Sequence, residues 1–328
     1  MIDLNHKTIL ISRTDSIGDV VLTLPMCGVL KKNYPNCKII FLGRNYTLPI
    51  LNRCQHIDEA ISFDTLEKHT HSELVSFFKQ KNISTFIHVF PNKILAKVAK
   101  EAKIPIRIGT LRRIFHLLTC NKTVNLKRKS SDKHEAQLNI ELLKPLDIKA
   151  DFSLNEIVDF YGFDLNRKTT ADFSFLDADK IKIILHPKSK GSAKEWGFDN
   201  FSELIKMLDK NKYQLFFSGT KQEGELFKKE LIEKHPEVID LTGKFTLDEF
   251  IDFISCCDGI VGASTGPLHI AAALNKKTIG LYTNIRPMFP TRWAPLGINA
   301  VSLTETSESI TNFLSISAKT VFDELEKK

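Results

Sequence analysis

No apolar run in this chain approaches the ~20 residues that a membrane-spanning helix needs. The longest runs are short, as in Ile181-Lys182-Ile183-Ile184-Leu185. The first residues hold no basic stretch followed by an apolar core: Lys7 leads straight into Thr8-Ile9-Leu10-Ile11, a strand pattern, so a cytoplasmic protein is expected. Cysteine is scarce and scattered, at Cys27, Cys37, Cys54, Cys120, Cys256 and Cys257. With no C-x-x-C pair, neither a zinc ribbon nor a thioredoxin motif is supported, and the six are expected to be small buried residues in a reducing compartment. Short repeats and low-complexity segments are lacking as well.

What is present is an ordinary globular composition. Apolar residues make up 42% of the 328, which excludes a disordered chain, and the length calls for two domains of about 150 residues each. Forty-six basic residues against 39 acidic ones give a formal charge of +7. That excess suits an anionic partner, and by itself leaves nucleic acid, an anionic membrane face and a phosphorylated substrate open.

Strand-like and helix-like patterns alternate along the first half. Thr8–Ser12, Lys38–Leu42, Asp58–Ile61 and Thr85–Val89 read as strands, and Val20–Asn33 as a helix ended by Pro35-Asn36. The pattern loosens from Leu111 to Asp132, then resumes with a helix from Lys133 to about Leu143. A linker is expected between about 150 and 178, where Gly162, Asp164, Asn166, Arg167 and Thr169 interrupt the apolar periodicity. The alternation restarts with Ile181–Leu185, Phe201–Leu208, Tyr213–Ser218, Glu223–Lys234, Val238–Leu241, Leu247–Cys256, Gly259–Val261, His269–Leu274 and Thr278–Tyr282, and Glu308–Lys328 reads as one or two amphipathic helices. This is an α/β chain of two similar doubly wound halves, expected to place a ligand-binding cleft where their strand ends face each other.

Four stretches could carry chemistry. Arg13-Thr14-Asp15-Ser16-Ile17-Gly18-Asp19 follows the first strand, and Asp19 falls at a helix start, where a carboxylate serves as a cap or, facing a cleft, as a general base. It matches neither G-x-G-x-x-G nor the G-x-x-x-x-G-K-S/T loop. His186-Pro187-Lys188-Ser189-Lys190-Gly191-Ser192-Ala193-Lys194-Glu195-Trp196 packs lysines, serines and a glycine into one loop, which makes either an anion cradle or a solvated basic loop, with Trp196 expected to be buried. In Gly262-Ala263-Ser264-Thr265-Gly266-Pro267-Leu268-His269, Thr265 can cap the following helix and Gly266 lets a diphosphate approach its amides, while His269 fits a semi-buried structural role equally well. Two anion-type loops in one half point to a nucleotide diphosphate. The fourth stretch is basic: Arg107, Arg112, Arg113, Lys122, Lys127, Arg128, Lys129 and Lys133, interrupted by Ile114-Phe115-His116-Leu117-Leu118. It suits a lipid-linked phosphorylated acceptor at a membrane face, or a helix with a basic flank.

These motifs, in this order, resemble the lipopolysaccharide heptosyltransferases of glycosyltransferase family 9. The resemblance rests on Ser16-Ile17-Gly18-Asp19 with Thr23-Leu24-Pro25, and on Ser264-Thr265-Gly266-Pro267-Leu268-His269-Ile270-Ala271-Ala272-Ala273-Leu274. Lys194-Glu195-Trp196, Ser218-Gly219 with Glu223, Leu241-Thr242-Gly243-Lys244 and Arg292-Trp293-Ala294-Pro295-Leu296-Gly297 add to it. It implies a GT-B fold of two facing Rossmann-like domains, with residues 1–165 binding the acceptor and 166–328 the sugar nucleotide, the final helix being free to pack back on the first. It implies inverting heptose transfer from ADP-heptose to an inner-core acceptor, with no metal, no cofactor and no nucleic-acid partner, and peripheral contact with the cytoplasmic face of the inner membrane. Asp19 would be the base and Lys194 would neutralise the leaving group, with Ser189, Ser192, Glu223, Ser264, Thr265, Gly266 and His269 around the donor. Gly18, Arg112, Arg113, Lys129, Lys133 and His134 would meet the acceptor. Many relatives carry Asp where this chain has Ser264, so the sugar stays open, and another nucleotide sugar is the alternative. A non-catalytic nucleotide- or polyanion-binding protein on the same scaffold is the alternative from a different class.

Overall fold

The computed structural model describes residues 2–128, 130–164, 171–306 and 312–327. The chain divides into two compact units, Met1–Asp164 and Leu165–Lys328. Each is a six-stranded, all-parallel sheet.

In the first unit the strands are β1 (Thr8–Ser12), β2 (Lys38–Gly43), β3 (Glu59–Ser62), β4 (Ile83–His88), β5 (Ile106–Thr110) and β6 (Lys122–Val124), in the order β3-β2-β1-β4-β5-β6. β1 lies between β2 and β4, with Ile9 opposite Ile39 and Thr85. Ile9, Leu10 and Ile11 are covered on both faces, which is why the strand reads as a continuous apolar run rather than an alternation. The stretch in which the sequence pattern loosens contains real elements: the helix Ile114–Thr119 and the edge strand β6. The expected helix Val20–Asn33 is two helices, Ile17–Val21 and Leu24–Asn33, with Pro25 in the first turn of the second. Proline is tolerated there because that N–H has no intrahelical partner. Within the expected linker, Ser153 caps a helix at Leu154–Val158, and the Gly162 carbonyl accepts from the Gln55 N–H at 2.8 Å. Asn166, Arg167 and Thr169 lie outside the described residues.

The second unit repeats the scheme with β7 (Ile181–His186), β8 (Tyr213–Phe217), β9 (Ile239–Asp240), β10 (Gly259–Ala263), β11 (Lys277–Tyr282) and β12 (Ala300–Thr304), ordered β12-β11-β10-β7-β8-β9. In both units the first strand of the half sits at the sheet's centre and the order reverses beside it, the doubly wound Rossmann arrangement. Loops leaving β1 and β4, and those leaving β7 and β10, therefore flank the two switch points, and three of the four candidate stretches sit on these loops. The expected helix Glu223–Lys234 runs from Lys221 to Phe227 and then widens into a π turn, Lys228–Ile232.

Trp196 is buried as expected, and its indole N–H donates to the Ile316 carbonyl at 2.7 Å. Of Glu308–Lys328, residues 308–311 and 328 lie outside the described residues, and the rest contains one helix, Ala318–Glu326. Its Val321 and Leu325 are buried in the second unit's own core, with Leu204 and Leu281 in the same cluster. All six cysteines are free. Cys27, Cys37, Cys54 and Cys257 are buried as expected, but Cys120 is only half-buried and Cys256 is exposed at the end of its helix.

Candidate active site

At the carboxyl end of β1, Arg13 turns its side chain into a cluster of acids. Its guanidinium donates to Asp15 Oδ1 at 2.7 Å, to Asp19 Oδ1, to Glu135 Oε1 at 3.2 Å and to Asn139 Oδ1 at 3.3 Å. Arg128 reaches the same two partners on the helix Glu135–Ile140: Glu135, and Asn139 at 3.1 Å. Ser16 occupies the N-cap of the helix Ile17–Val21, yet its hydroxyl donates to Asp19 Oδ2 instead of capping the helix. Asp19 is thus gripped on both carboxylate oxygens, and its backbone carbonyl accepts from the Thr23 hydroxyl at 2.8 Å. Burial pushes the neighbouring Asp15 carboxyl above its ordinary range, which Arg13 offsets only in part.

The residues expected to meet an acceptor fall into two groups. Gly18 and Asp19 share the first helix, and His134 caps the helix that carries Glu135, so Arg13 links these two elements. His134 is buried, and its Nδ1 accepts from the Ala136 N–H at 3.2 Å. Lys133, next to it, pairs with Glu141 at 2.8 Å, and that hydrogen bond raises its pKa. Arg112 and Arg113 belong to a separate exposed surface at the start of the helix Ile114–Thr119, where Arg112 Nε donates to Asn125 at 3.1 Å. Lys129 lies outside the described residues.

In the second unit, the loop after β7 turns back on itself at Lys190-Gly191. Both residues have positive φ, +50° and +78°, and the Ser192 N–H closes the turn on the Ser189 carbonyl at 3.0 Å. Glycine takes up that conformation at no steric cost, which explains Gly191. Glu195 organises the loop from below: it accepts from Lys188 Nζ at 2.5 Å and from the Ser189 N–H at 3.0 Å. Ser192 brings this loop against the one after β10: its hydroxyl proton is shared between the Ser189 carbonyl of its own loop at 2.8 Å and the Ser264 carbonyl at 3.1 Å. The two anion-type loops are therefore one structure.

At the N-terminus of the helix Gly266–Ala273, Thr265 has the extended backbone of an N-cap residue but makes no side-chain cap. Its hydroxyl is buried with no hydrogen-bond partner among the described residues. A buried orphan hydroxyl at a helix N-terminus is unusual, and it stands where amide groups already favour an anion. The Tyr282 hydroxyl behind this turn donates to the Trp293 carbonyl at 2.5 Å, and His269 is buried on the helix itself. Lys194 is held at 3.2 and 3.1 Å by both oxygens of Glu305. Glu305 is fully buried; desolvation raises its pKa, but hydrogen bonds from Thr283, Lys194 and the Ser315 N–H outweigh this and hold it below the usual range. Glu223 forms a capping box with Thr220, accepting from its N–H at 2.7 Å and its hydroxyl at 2.9 Å. The adjacent His186 shares a 2.9 Å hydrogen bond with Ser218, and burial depresses its pKa despite the nearby Glu223.

Glu135, Asn139 and Glu305 went unrecognised in the sequence. Each acts across more than a hundred residues of chain, and none belongs to a recognisable motif. Among the described residues no three His, Cys, Asp or Glu side chains converge as a metal site would require, and no helix is long and apolar enough to cross a membrane.

Two Rossmann-like sheets, with an acid-lined turn in one and a coupled anion loop in the other, define an α/β protein of the GT-B class. Residues 89–315 match the family described as glycosyltransferase family 9 (heptosyltransferase), and the chain belongs to that family. It is accordingly an enzyme, a glycosyltransferase, which removes the non-catalytic alternative. It is 27% identical over 304 residues to lipooligosaccharide heptosyltransferase 2 of Haemophilus influenzae, covering 86% of this chain and 84% of that one. To lipopolysaccharide heptosyltransferase 3 of Escherichia coli it is 24% identical over 295 residues, with 87% and 84% covered. The solved ADP-heptose lipopolysaccharide heptosyltransferase II of E. coli shares the fold, with a TM-score of 0.75, 22% identity and 97% of each chain covered.

Proposed function

We propose that this chain transfers heptose from ADP-heptose to a phosphorylated, lipid-linked inner-core acceptor at the cytoplasmic face of the inner membrane. The observation that carries the reading is the coupled loop in the second unit: two anion-type turns joined through Ser192 and Ser264, with the orphan Thr265 hydroxyl at the helix N-terminus beside them. In this reading the second unit holds the donor and the first holds the acceptor. Ser189, Ser192, Thr265 and the Gly266 amide bind the diphosphate, with His269 nearby, while Glu223 meets the ribose and Ser264 the sugar.

Asp19 takes the proton from the acceptor hydroxyl as that oxygen attacks the anomeric carbon. The bond from this carbon to the diphosphate oxygen breaks in the same step, and ADP leaves with its added charge opposite Lys194 and the helix N-terminus. Arg13 and Ser16 fix the carboxylate's orientation, and Glu305 sets the position of Lys194. Gly18 belongs to the wall of the acceptor site, with Arg112, Arg113, Lys129, Lys133 and His134 supplying positive charge or hydrogen bonds to the acceptor.

Ser264 favours a second donor reading. Where many relatives carry a carboxylate, this chain offers a neutral hydroxyl, which suits a different sugar on the nucleotide. A thermal-shift screen with ADP, UDP, GDP and CMP, extended to ADP-heptose, separates the two. Selective stabilisation by ADP and ADP-heptose supports the first reading. Selective stabilisation by another nucleotide replaces the heptose.

A further inference from the structure

We infer that the helix Ile114–Thr119 is a docking element for an anionic lipid bilayer. This rests on the reading that the enzyme works at a membrane face, and names the element that reaches the bilayer; it does not depend on which sugar is moved. The helix is inverted. His116 points inward, buried, with its Nδ1 accepting from the Thr110 N–H at 3.0 Å. Ile114, Leu117 and Leu118 stand at i, i+3 and i+4, the stripe that a surface helix ordinarily turns toward the core. Here they are 80%, 53% and 69% exposed. Leu111, just ahead, is exposed too. Single exposed leucines are common; an entire apolar face turned to solvent marks a surface that is covered in use.

Charge identifies the cover. From Asn92 to Ser131 the chain has eleven lysines and arginines and a single acid, Glu101. Glu101 is already engaged, with His71 at 2.6 Å and Lys97 at 3.8 Å. Arg112 and Arg113 stand exposed at the start of the helix and Lys122 just beyond its end. The neighbouring helix Lys93–Glu101 adds exposed Lys93, Ile94 and Lys97, and is tied on by Lys100 Nζ, which donates to the Leu118 carbonyl at 2.9 Å. Apolar tips surrounded by long cationic side chains match the depth profile of a bilayer surface, with acyl chains below and anionic phosphates at the level of the ammonium and guanidinium groups.

The test is co-sedimentation of the full chain with vesicles of phosphatidylcholine alone, or of two parts phosphatidylcholine to one part phosphatidylglycerol. The wild type is expected to partition at least about tenfold more strongly onto the anionic vesicles. Leu117→Ser with Leu118→Ser is expected to weaken that binding by about tenfold or more, with an unchanged melting temperature because both side chains are already in water. Arg112→Gln and Arg113→Gln are each expected to cost about fivefold. Equal binding to both kinds of vesicle overturns the inference, as does anionic binding that is indifferent to the leucine pair. So does a wild-type dimer in sedimentation equilibrium that the leucine pair dissolves, since the face would then be covered by a second copy.

Discussion

Replacing Arg13 with Met tests how far the first unit depends on one buried cation. The methionine fills much of the same volume, so the change chiefly removes charge. It leaves Asp15, Asp19 and Glu135 gathered around an apolar side chain, with Glu135 keeping Arg128 and Asp19 keeping Ser16. Removing one partner of a buried ion pair costs about 3–5 kcal/mol. The surviving contacts of Glu135 and Asp19 place this case at the lower end, about 3 kcal/mol. For a unit of this size, that is a fall of roughly 6–12 °C in melting temperature. The loss also depends on pH. Burial already raises the Asp15 pKa with Arg13 pulling against it, so without Arg13 it rises further. A carboxyl with a raised folded pKa contributes stability that is complete below its unfolded value and lost as pH rises through the folded one. The deficit relative to wild type is therefore greatest at pH 7 and shrinks toward pH 5. Differential scanning calorimetry of both proteins across that range reads it directly. A loss under about 2 °C at pH 7, or a deficit that does not change with pH, would refute the assignment of Arg13 as the keystone of this cluster.

Two further outcomes follow from particular side chains. Thr265→Val removes a hydroxyl that has no partner among the described residues, so the melting temperature should hold or rise, while affinity for the nucleotide falls about fivefold, the worth of one hydrogen bond near 1 kcal/mol; calorimetric titration with ADP and a melt check the two halves, and unchanged affinity with lowered stability would contradict the role given to Thr265. His88 is buried with both ring nitrogens unpartnered among the described residues and its ring 3.9 Å from Phe86, and burial holds its pKa well below the usual value; burial likewise takes His116 to about 4. Stability from such histidines is complete above the unfolded value and lost as pH falls through the folded one, about 3 kcal/mol for His116 at 1.4 kcal/mol per unit. His88→Phe should therefore flatten the fall in melting temperature between pH 6.5 and 4 without loss at pH 7, and an unchanged slope would count against it.

Much of the fold could be read from local pattern because parallel strands buried on both faces are continuous apolar runs. β1 was anticipated to the residue. β5, β6 and β12 were not: in Ile106–Thr110 the apolar run is broken by Arg107 and Gly109, and Lys122–Val124 and Ala300–Thr304 are edge strands with little apolar signal. The break at Leu22–Thr23 is equally silent, since both residues are buried and the helical periodicity runs straight through them. Around the candidate site, the loops were legible because glycine, serine and lysine cluster after a strand for a physical reason. Their partners were not. Nothing in the neighbourhood of Glu135 or Glu305 announces that one meets Arg13 and the other Lys194; only the folded sheet brings them together. Cys256 shows the same limit from the other side, because a residue type that is usually buried lies here at an exposed helix end.

The central claim is that Asp19 is the base of a transfer from ADP-heptose, and Asp19→Asn tests it most directly. Arg13 retains Asp15 and Glu135 in this variant, so the fold should survive, as a melt within about 3 °C of wild type would confirm. Turnover of ADP-heptose with a lipid-linked inner-core acceptor is expected to fall by about 10²–10⁴-fold, while the thermal shift induced by ADP-heptose stays intact. Turnover retained within a few-fold of wild type, with donor binding also intact, would contradict the account.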